Sequence, residues 1–93
     1  MFRCTVQLFG LPHEITELRE VVVELKDGAN LRDVIAALRR EIPALEGHAI
    51  HAGEDRLMER CAFNINGRFY LDDKEIQLQN SDRIALLTLA IGG

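Results

Sequence analysis

The chain has no surplus of positive charge. Lys and Arg total 11 against 15 Asp and Glu, a formal net charge of -4 over 93 residues. Phosphate backbones are held by concentrated basic faces, so nucleic acid is not expected as the main partner. There is also no apolar run near the roughly 18 residues that cross a bilayer, so no membrane partner is expected. Met1 to Gly10 has one arginine, no long apolar core and no small-residue cleavage site, so no signal peptide is expected there. Two cysteines, Cys4 and Cys61, are too few for a disulfide framework. Without an export signal the expected compartment is the cytoplasm, where both stay reduced as small buried hydrophobes. Glycine-rich phosphate loops, a nucleophile elbow and Cys-x-x-Cys are all missing, so the chain lacks the equipment of an independent enzyme. Repeats, low-complexity stretches and linkers are missing too, and 93 residues make one domain.

What remains is a globular composition, 47% hydrophobic and 28% charged. Met1 to Gly10 alternates, with Phe2, Cys4, Val6 and Leu8 on one side and Arg3, Thr5 and Gln7 on the other. Period two predicts a strand with one wet face. Leu11-Pro12-His13 breaks it, and Glu20 to Lys26 predicts a second strand with Val21, Val23 and Leu25 inward. The connection suits an antiparallel hairpin. After the Asp27-Gly28 turn, Asn30 stands at a helix N-cap position. Leu31, Val34, Ile35, Leu38 and Ile42 then recur at helical spacing until Pro43. Asp33 in the first turn and Arg39-Arg40 in the last suit the helix dipole. Ala44 to Arg60 reads as a loop with one helical turn near Asp55 to Arg60. Ala62 to Asn66 reads as a strand closed by Asn66-Gly67, a strong hairpin signal. Arg68 to Leu71, Glu75 to Leu78 and Arg83 to Leu89 follow as extended pieces. Hairpin, helix, then strands is an α+β order, with four to five strands packed on one main helix.

The final strand is apolar on both sides. Ile84, Leu86 and Thr88 share one parity; Ala85, Leu87 and Leu89 share the other. One helix covers one sheet face, so the second face is expected to expose an apolar patch unless Ala44 to Arg60 folds over it. The alternative is a central strand buried on both sides. The sequence then closes on Gly92-Gly93, a free carboxylate behind two residues that have no Cβ and can thread a narrow channel. Residues from about 89 to 93 are expected to form a flexible C-terminal tail.

Several stretches together resemble the ubiquitin-like β-grasp sulfur-carrier family, which includes the small subunit of molybdopterin synthase and the thiamine-biosynthesis sulfur carrier. They are Val6-Gln7-Leu8-Phe9-Gly10, Asn30-Leu31-Arg32-Asp33-Val34-Ile35, Phe63-Asn64-Ile65-Asn66-Gly67, Ser81 to Leu87, and Gly92-Gly93. The resemblance spans the whole chain, and Leu-Phe-Gly closing the first strand is similar to the molybdopterin branch. Ser81-Asp82 stands where Gly-Asp is usual, and Thr88 to Ile91 has no proline. The resemblance implies a ubiquitin-like β-grasp and a chain that is not catalytic alone. It would be the sulfur-donating subunit of a synthase. An adenylating, E1-like partner would use ATP to activate the Gly93 carboxylate, and a persulfide would convert it to a thiocarboxylate. Gly92 would keep the approach unhindered. Ala85, Leu87, Leu89, Ala90 and Ile91 would meet the partner, which is a large catalytic subunit or another sulfur-acceptor enzyme. No cofactor is expected to be bound by the chain itself.

Two other readings stand beside this one. The leading role that the resemblance implies is the small subunit of molybdopterin synthase in molybdenum cofactor biosynthesis, with sulfur supply for thiamine, cysteine or a secondary metabolite as its close alternatives; the same tail also suits a protein modifier joined to lysines. A plain interaction domain with an inert tail is the third. His48 and His51 lie three apart near Glu46, Glu54 and Asp55, but in a loop-like stretch, so no metal site is expected. Arg32, Arg39 and Arg40 form a basic helix face expected to be solvated or paired with acids. Asp72-Asp73 reads as turn chemistry.

Overall fold

The computed structural model describes residues 1–9, 20–70, 77–79 and 82–88. Five strands and one α-helix appear among them: β1 Phe2–Phe9, β2 Glu20–Leu25, α1 Leu31–Glu41, β3 Cys61–Ile65, β4 Arg68–Tyr70 and β5 Ile84–Thr88. They form one mixed sheet in the order β2-β1-β5-β3-β4. β1 pairs antiparallel with β2, parallel with β5, and β5 and β4 both pair antiparallel with β3. This is the α+β β-grasp arrangement expected, with the last strand in the middle of the sheet.

Alternation decides the two faces. Cys4, Val6 and Leu8 of β1 are buried, while Arg3, Thr5 and Gln7 between them are exposed. Val23 and Leu25 of β2, Cys61, Phe63 and Ile65 of β3, and Ile84 and Leu86 of β5 point to the same side. There they meet Leu31, Val34, Ile35, Ala37 and Leu38 of α1. The helix begins where the sequence said it would. Asp33 N–H donates to Asn30 Oδ1 at 3.2 Å, and Asn30 N–H donates to Asp33 Oδ2 at 2.9 Å. This is a capping box with aspartate in the place usually held by Glu or Gln.

The stretch 44–60 differs from expectation. Its helical turn is a 3-10 turn at Pro43–Leu45, and 55–60 holds none. Proline pre-sets φ for a first helical position, and Leu45 is fully buried just after it. Leu45 O then accepts from the N–H groups of His48, Ala49 and Ile50 at 2.9 to 3.1 Å. Bridges join Glu46 to Ile50 and Ile50 to Leu57. Leu45, Ala49, Ile50 and Leu57 belong to the same core as α1, so this stretch widens the helical layer and does not fold over the other sheet face. Arg39 fastens it to the helix. Its Nη2 lies 2.8 Å from Asp55 Oδ1 and its Nε 3.4 Å from Glu46 Oε1. The Asp55 approach is an ion contact outside hydrogen-bond geometry, and among the described residues the buried Arg39 Nη1 has no acceptor. Arg39 is thus paired with acids, as the reading of the basic helix face anticipated, while Arg32 and Arg40 are exposed.

Other boundaries shift by a residue. The third strand is Cys61–Ile65 and the fourth stops at Tyr70 within the described residues. Gln77 to Gln79 is irregular, so the described part of the expected piece Glu75 to Leu78 is not a strand. The remainder of that piece, Leu11-Pro12-His13, Leu71 and Asp72-Asp73 lie outside the described residues. The β3–β4 loop has two residues, Asn66 at φ +52° and Gly67 at φ +94°, the signs demanded by the hairpin turn whose twist matches the strands.

Candidate functional site

β5 positions the candidate surface. Its neighbours on either side fix the parity: Leu87 lies opposite Phe9 of β1 and Ala62 of β3, and Ala85 opposite Gln7 and Asn64. All six therefore sit on the face turned away from α1. Ala85 and Leu87 are half-buried, and neither they nor Ala62 belongs to the helix-side core. Of the two alternatives for the last strand, the exposed patch is the one found. Ile84 and Leu86 are buried against the helix, while Ala85 and Leu87 keep part of their surface open to solvent.

Two aromatics complete this face, and sequence reasoning missed both. Phe9 is 48% exposed and Phe69 64% exposed. Phe9 falls on the wet parity of β1, with Arg3, Thr5 and Gln7. An aromatic residue at a polar position of an alternating strand was the available signal. Phe69 lies opposite Asn64 on edge strand β4, whose shortness hid its parity.

The face has two ends. At the end where β5 finishes, Phe9, Leu87 and Ala62 form an apolar row across three strands. Towards the start of β5 the surface is polar. There a depression of about 780 Å³ is bordered by Arg3, Thr5, Gln7, Asn64, Asn66 and Arg83, among others. Between the arginines and the apolar row, Thr5, Gln7, Ala85 and Asn64 carry no charge, although 28% of the chain is charged. No nucleophile or titratable group stands in the row itself, so its chemistry is that of binding. Residues 89–93, and with them Leu89, Ala90, Ile91, Gly92 and Gly93, lie outside the described residues. They follow Thr88 directly in the sequence.

The cysteines stand apart from this face. Cys4 and Cys61 are free and buried on the helix side. Burial pushes both thiols above their ordinary range. At Cys4 the Asp82 carboxylate adds to the effect, and at Cys61 contact with the Thr88 hydroxyl opposes it. Cys61 Sγ lies 3.7 Å from Thr88 Oγ1 and 4.0 Å from His48 O. His48 is exposed, and His51 Nε2 lies 3.5 Å from Arg56 Nη2. Among the described residues no three His, Cys, Asp or Glu side chains converge as metal ligands. No helix among them is long and apolar enough to cross a membrane.

Comparison with known proteins agrees with this architecture. Residues 6–93 match the ThiS family. A molybdopterin synthase sulfur carrier subunit from Chlamydomonas reinhardtii is 27% identical over 88 residues, covering 95% of each chain. The crystal structure of SAMP1 from Haloferax volcanii superposes with a TM-score of 0.82 at 24% identity, covering 98% of this chain and 99% of that one. Subunits 1 and 2 of the molybdopterin-converting factor from Helicobacter pylori were solved as a protein–protein complex. A chain of it superposes with a TM-score of 0.63 at 24% identity, covering 99% of this chain and 100% of that one.

Proposed function

This chain belongs to the ThiS family, and from that premise we propose that it carries sulfur as a thiocarboxylate on Gly93. The observation that carries the proposal is the placement of β5. It is the central strand, it runs parallel to β1, and it ends at Thr88 beside the apolar row formed by exposed Phe9, half-buried Leu87 and buried Ala62. Residues 89–93 continue from there and span at most about 17 Å when extended. A partner seated on the row is therefore within reach of the terminal carboxylate.

A carboxylate does not acylate, because its leaving group would be oxide. An adenylating partner joins it to the α-phosphate of ATP and releases pyrophosphate. The terminal sulfur of a persulfide then attacks the acyl carbon and AMP departs. A second thiol breaks the S–S bond, and the thiocarboxylate is freed as that thiol becomes part of a disulfide. The carrier supplies the acyl group and its position; its partners supply the catalysis. Gly92 leaves the acyl carbon approachable inside a narrow channel. Ala85 and Leu87 dock the partner, with Leu89, Ala90 and Ile91 lining the way in. The free thiols Cys4 and Cys61 suit work in the reducing cytoplasm.

The acceptor we favour is the large subunit of molybdopterin synthase, where this chain acts as the small subunit. Support comes from the Chlamydomonas relative, named as a sulfur carrier subunit of that enzyme, and from the two-subunit complex from Helicobacter. A second reading, a modifier joined to lysines, is supported by the fold shared with SAMP1, named as a small archaeal modifier protein. One experiment separates them. The chain is incubated with an adenylating enzyme, ATP and a persulfide donor, and its intact mass is measured. Exchange of one oxygen for sulfur at Gly93 supports the carrier, and ladders on target lysines support the modifier. Deleting Gly92 and Gly93 abolishes both products while the urea midpoint stays unchanged. A truncated chain with full function refutes both.

A further inference from the structure

The polar end of the open face presents one arginine in an unusual way. Arg83 is gripped through its backbone on both sides by Asn66. Arg83 N–H donates to Asn66 Oδ1 at 3.0 Å, and Asn66 N–H donates to Arg83 O at 3.2 Å. The grip is itself braced, since Asn66 Nδ2 donates to Asp82 Oδ1 at 3.0 Å and Gln79 N–H donates to Asp82 Oδ2 at 2.8 Å. Both oxygens of the adjacent carboxylate are thus engaged elsewhere. Among the described residues the Arg83 guanidinium has no ion-pair partner. It is exposed and borders the depression together with Arg3, which holds Glu24 at 3.3 Å, and with Asp82, whose two oxygens are held by Asn66 and Gln79.

We propose that this Arg83 end of the open face is a second docking point, which takes a carboxylate-bearing segment of the enzyme that activates the C-terminus. The inference rests on the sulfur-carrier or modifier reading above. The activating enzyme is the occupant because every version of that reading requires it. The area argument comes first. A specific interface covers about 800 Å² on each partner, a patch about 30 Å across. The apolar row spans only three strands, about 10 Å between the outer two. Arg83 lies four residues before Leu87 on the same parity, about 13 Å away, so a partner covering the row also reaches the depression. The chemistry comes second. Protein interfaces have charge-poor centres and are enriched in arginine, as between the row and Arg83. A guanidinium is a rigid fork that matches a carboxylate with two parallel hydrogen bonds. With its backbone clamped, Arg83 adds no backbone ordering to the cost of binding, and only its side chain gives up freedom. On a chain of net charge -4, a cation at this one end also orients an acidic segment towards it.

The test uses the full chain and the adenylating enzyme encoded in the same genome, with ATP-dependent pyrophosphate release as the readout. Arg83→Glu raises KM for the chain at least tenfold with kcat unchanged, and it flattens the salt dependence of kcat/KM. Arg32→Glu makes the same change of charge on the exposed helix face and alters KM less than twofold. Urea midpoints of both variants match the parent. Equal KM values for the two variants overturn the inference, as does a fall confined to kcat. If Arg83→Glu weakens binding only to the sulfur acceptor, the assignment to the activating enzyme is overturned. If the unaltered chain is not adenylated at all, the underlying reading fails and the inference fails with it.

Discussion

Asn66 offers the sharpest test of how the hairpin turn supports the face. Its backbone sits at φ +52°, where an ordinary L residue is disfavoured by about 1–2 kcal/mol and asparagine less so. Its side chain accepts from Arg83 N–H and donates to Asp82, both at 3.0 Å. Each bond contributes about 0.5–1.5 kcal/mol, and the exposed setting of Asn66 favours the lower half of that range. Asn66→Gly loses both bonds but accepts the backbone angle, so it destabilises by about 1 kcal/mol. Asn66→Ala loses the same bonds and adds strain, so it destabilises by about 2 kcal/mol. The two variants should differ by about 1 kcal/mol, or roughly 4–8 °C in Tm for a domain of this size. Urea unfolding with a shared m value measures the difference directly. If Ala and Gly variants unfold at the same midpoint, the left-handed backbone is not what selects asparagine. If both match the parent, the bonds to Asp82 and Arg83 contribute nothing.

Two further outcomes follow from the core. Phe63 is fully buried at the centre of β3, so Phe63→Ala should destabilise by about 3–5 kcal/mol, read by the same urea curves; a loss under 1 kcal/mol would contradict its place in the core. The thiols set a pH limit. Burial raises the Cys4 and Cys61 pKa in the folded state, so only the unfolded chain ionises near the ordinary thiol pKa of about 8.5. The stabilisation is complete below that pH and declines as pH rises through it. A stability curve flat from pH 8 to 10 in a variant lacking other groups that titrate there would refute this.

The fold was legible wherever local pattern and burial coincide. Cys4, Val6 and Leu8 alternate with polar residues because one face of β1 is wet, and Asn30 with Asp33 announces the helix start. Asn66-Gly67 announces the turn because few residue pairs tolerate two positive φ angles. The order of strands was not readable in the same way. β5 pairs with β1 across some eighty residues of sequence, and no local signal encodes a pairing of that range. The stretch 44–60 misled for a related reason. Leu45, Ala49, Ile50 and Leu57 have neither helical nor strand periodicity, because they are buried one by one through turns and single bridges. Ala85 and Leu87 were found by parity. Phe9 and Phe69 were missed, since an exposed aromatic signals function only after its face is known.

β5 explains why this small domain can keep its core and its candidate docking face independent. In a strand, neighbours in sequence point to opposite sides. Ile84 and Leu86 are spent on the helix-side core, and Ala85 and Leu87 remain on the open side. A slip of one residue in pairing would exchange the two sets and place Ala85 and Leu87 against α1. Register is therefore held tightly, and the bonds from Asn66 to Arg83 and Asp82 hold it at the point where β5 begins. The same parity that buries the core also presents Leu87 beside Phe9, at the end from which residues 89–93 depart. The centre of the core and the candidate docking face thus draw on alternate residues of one segment, and both sets are apolar.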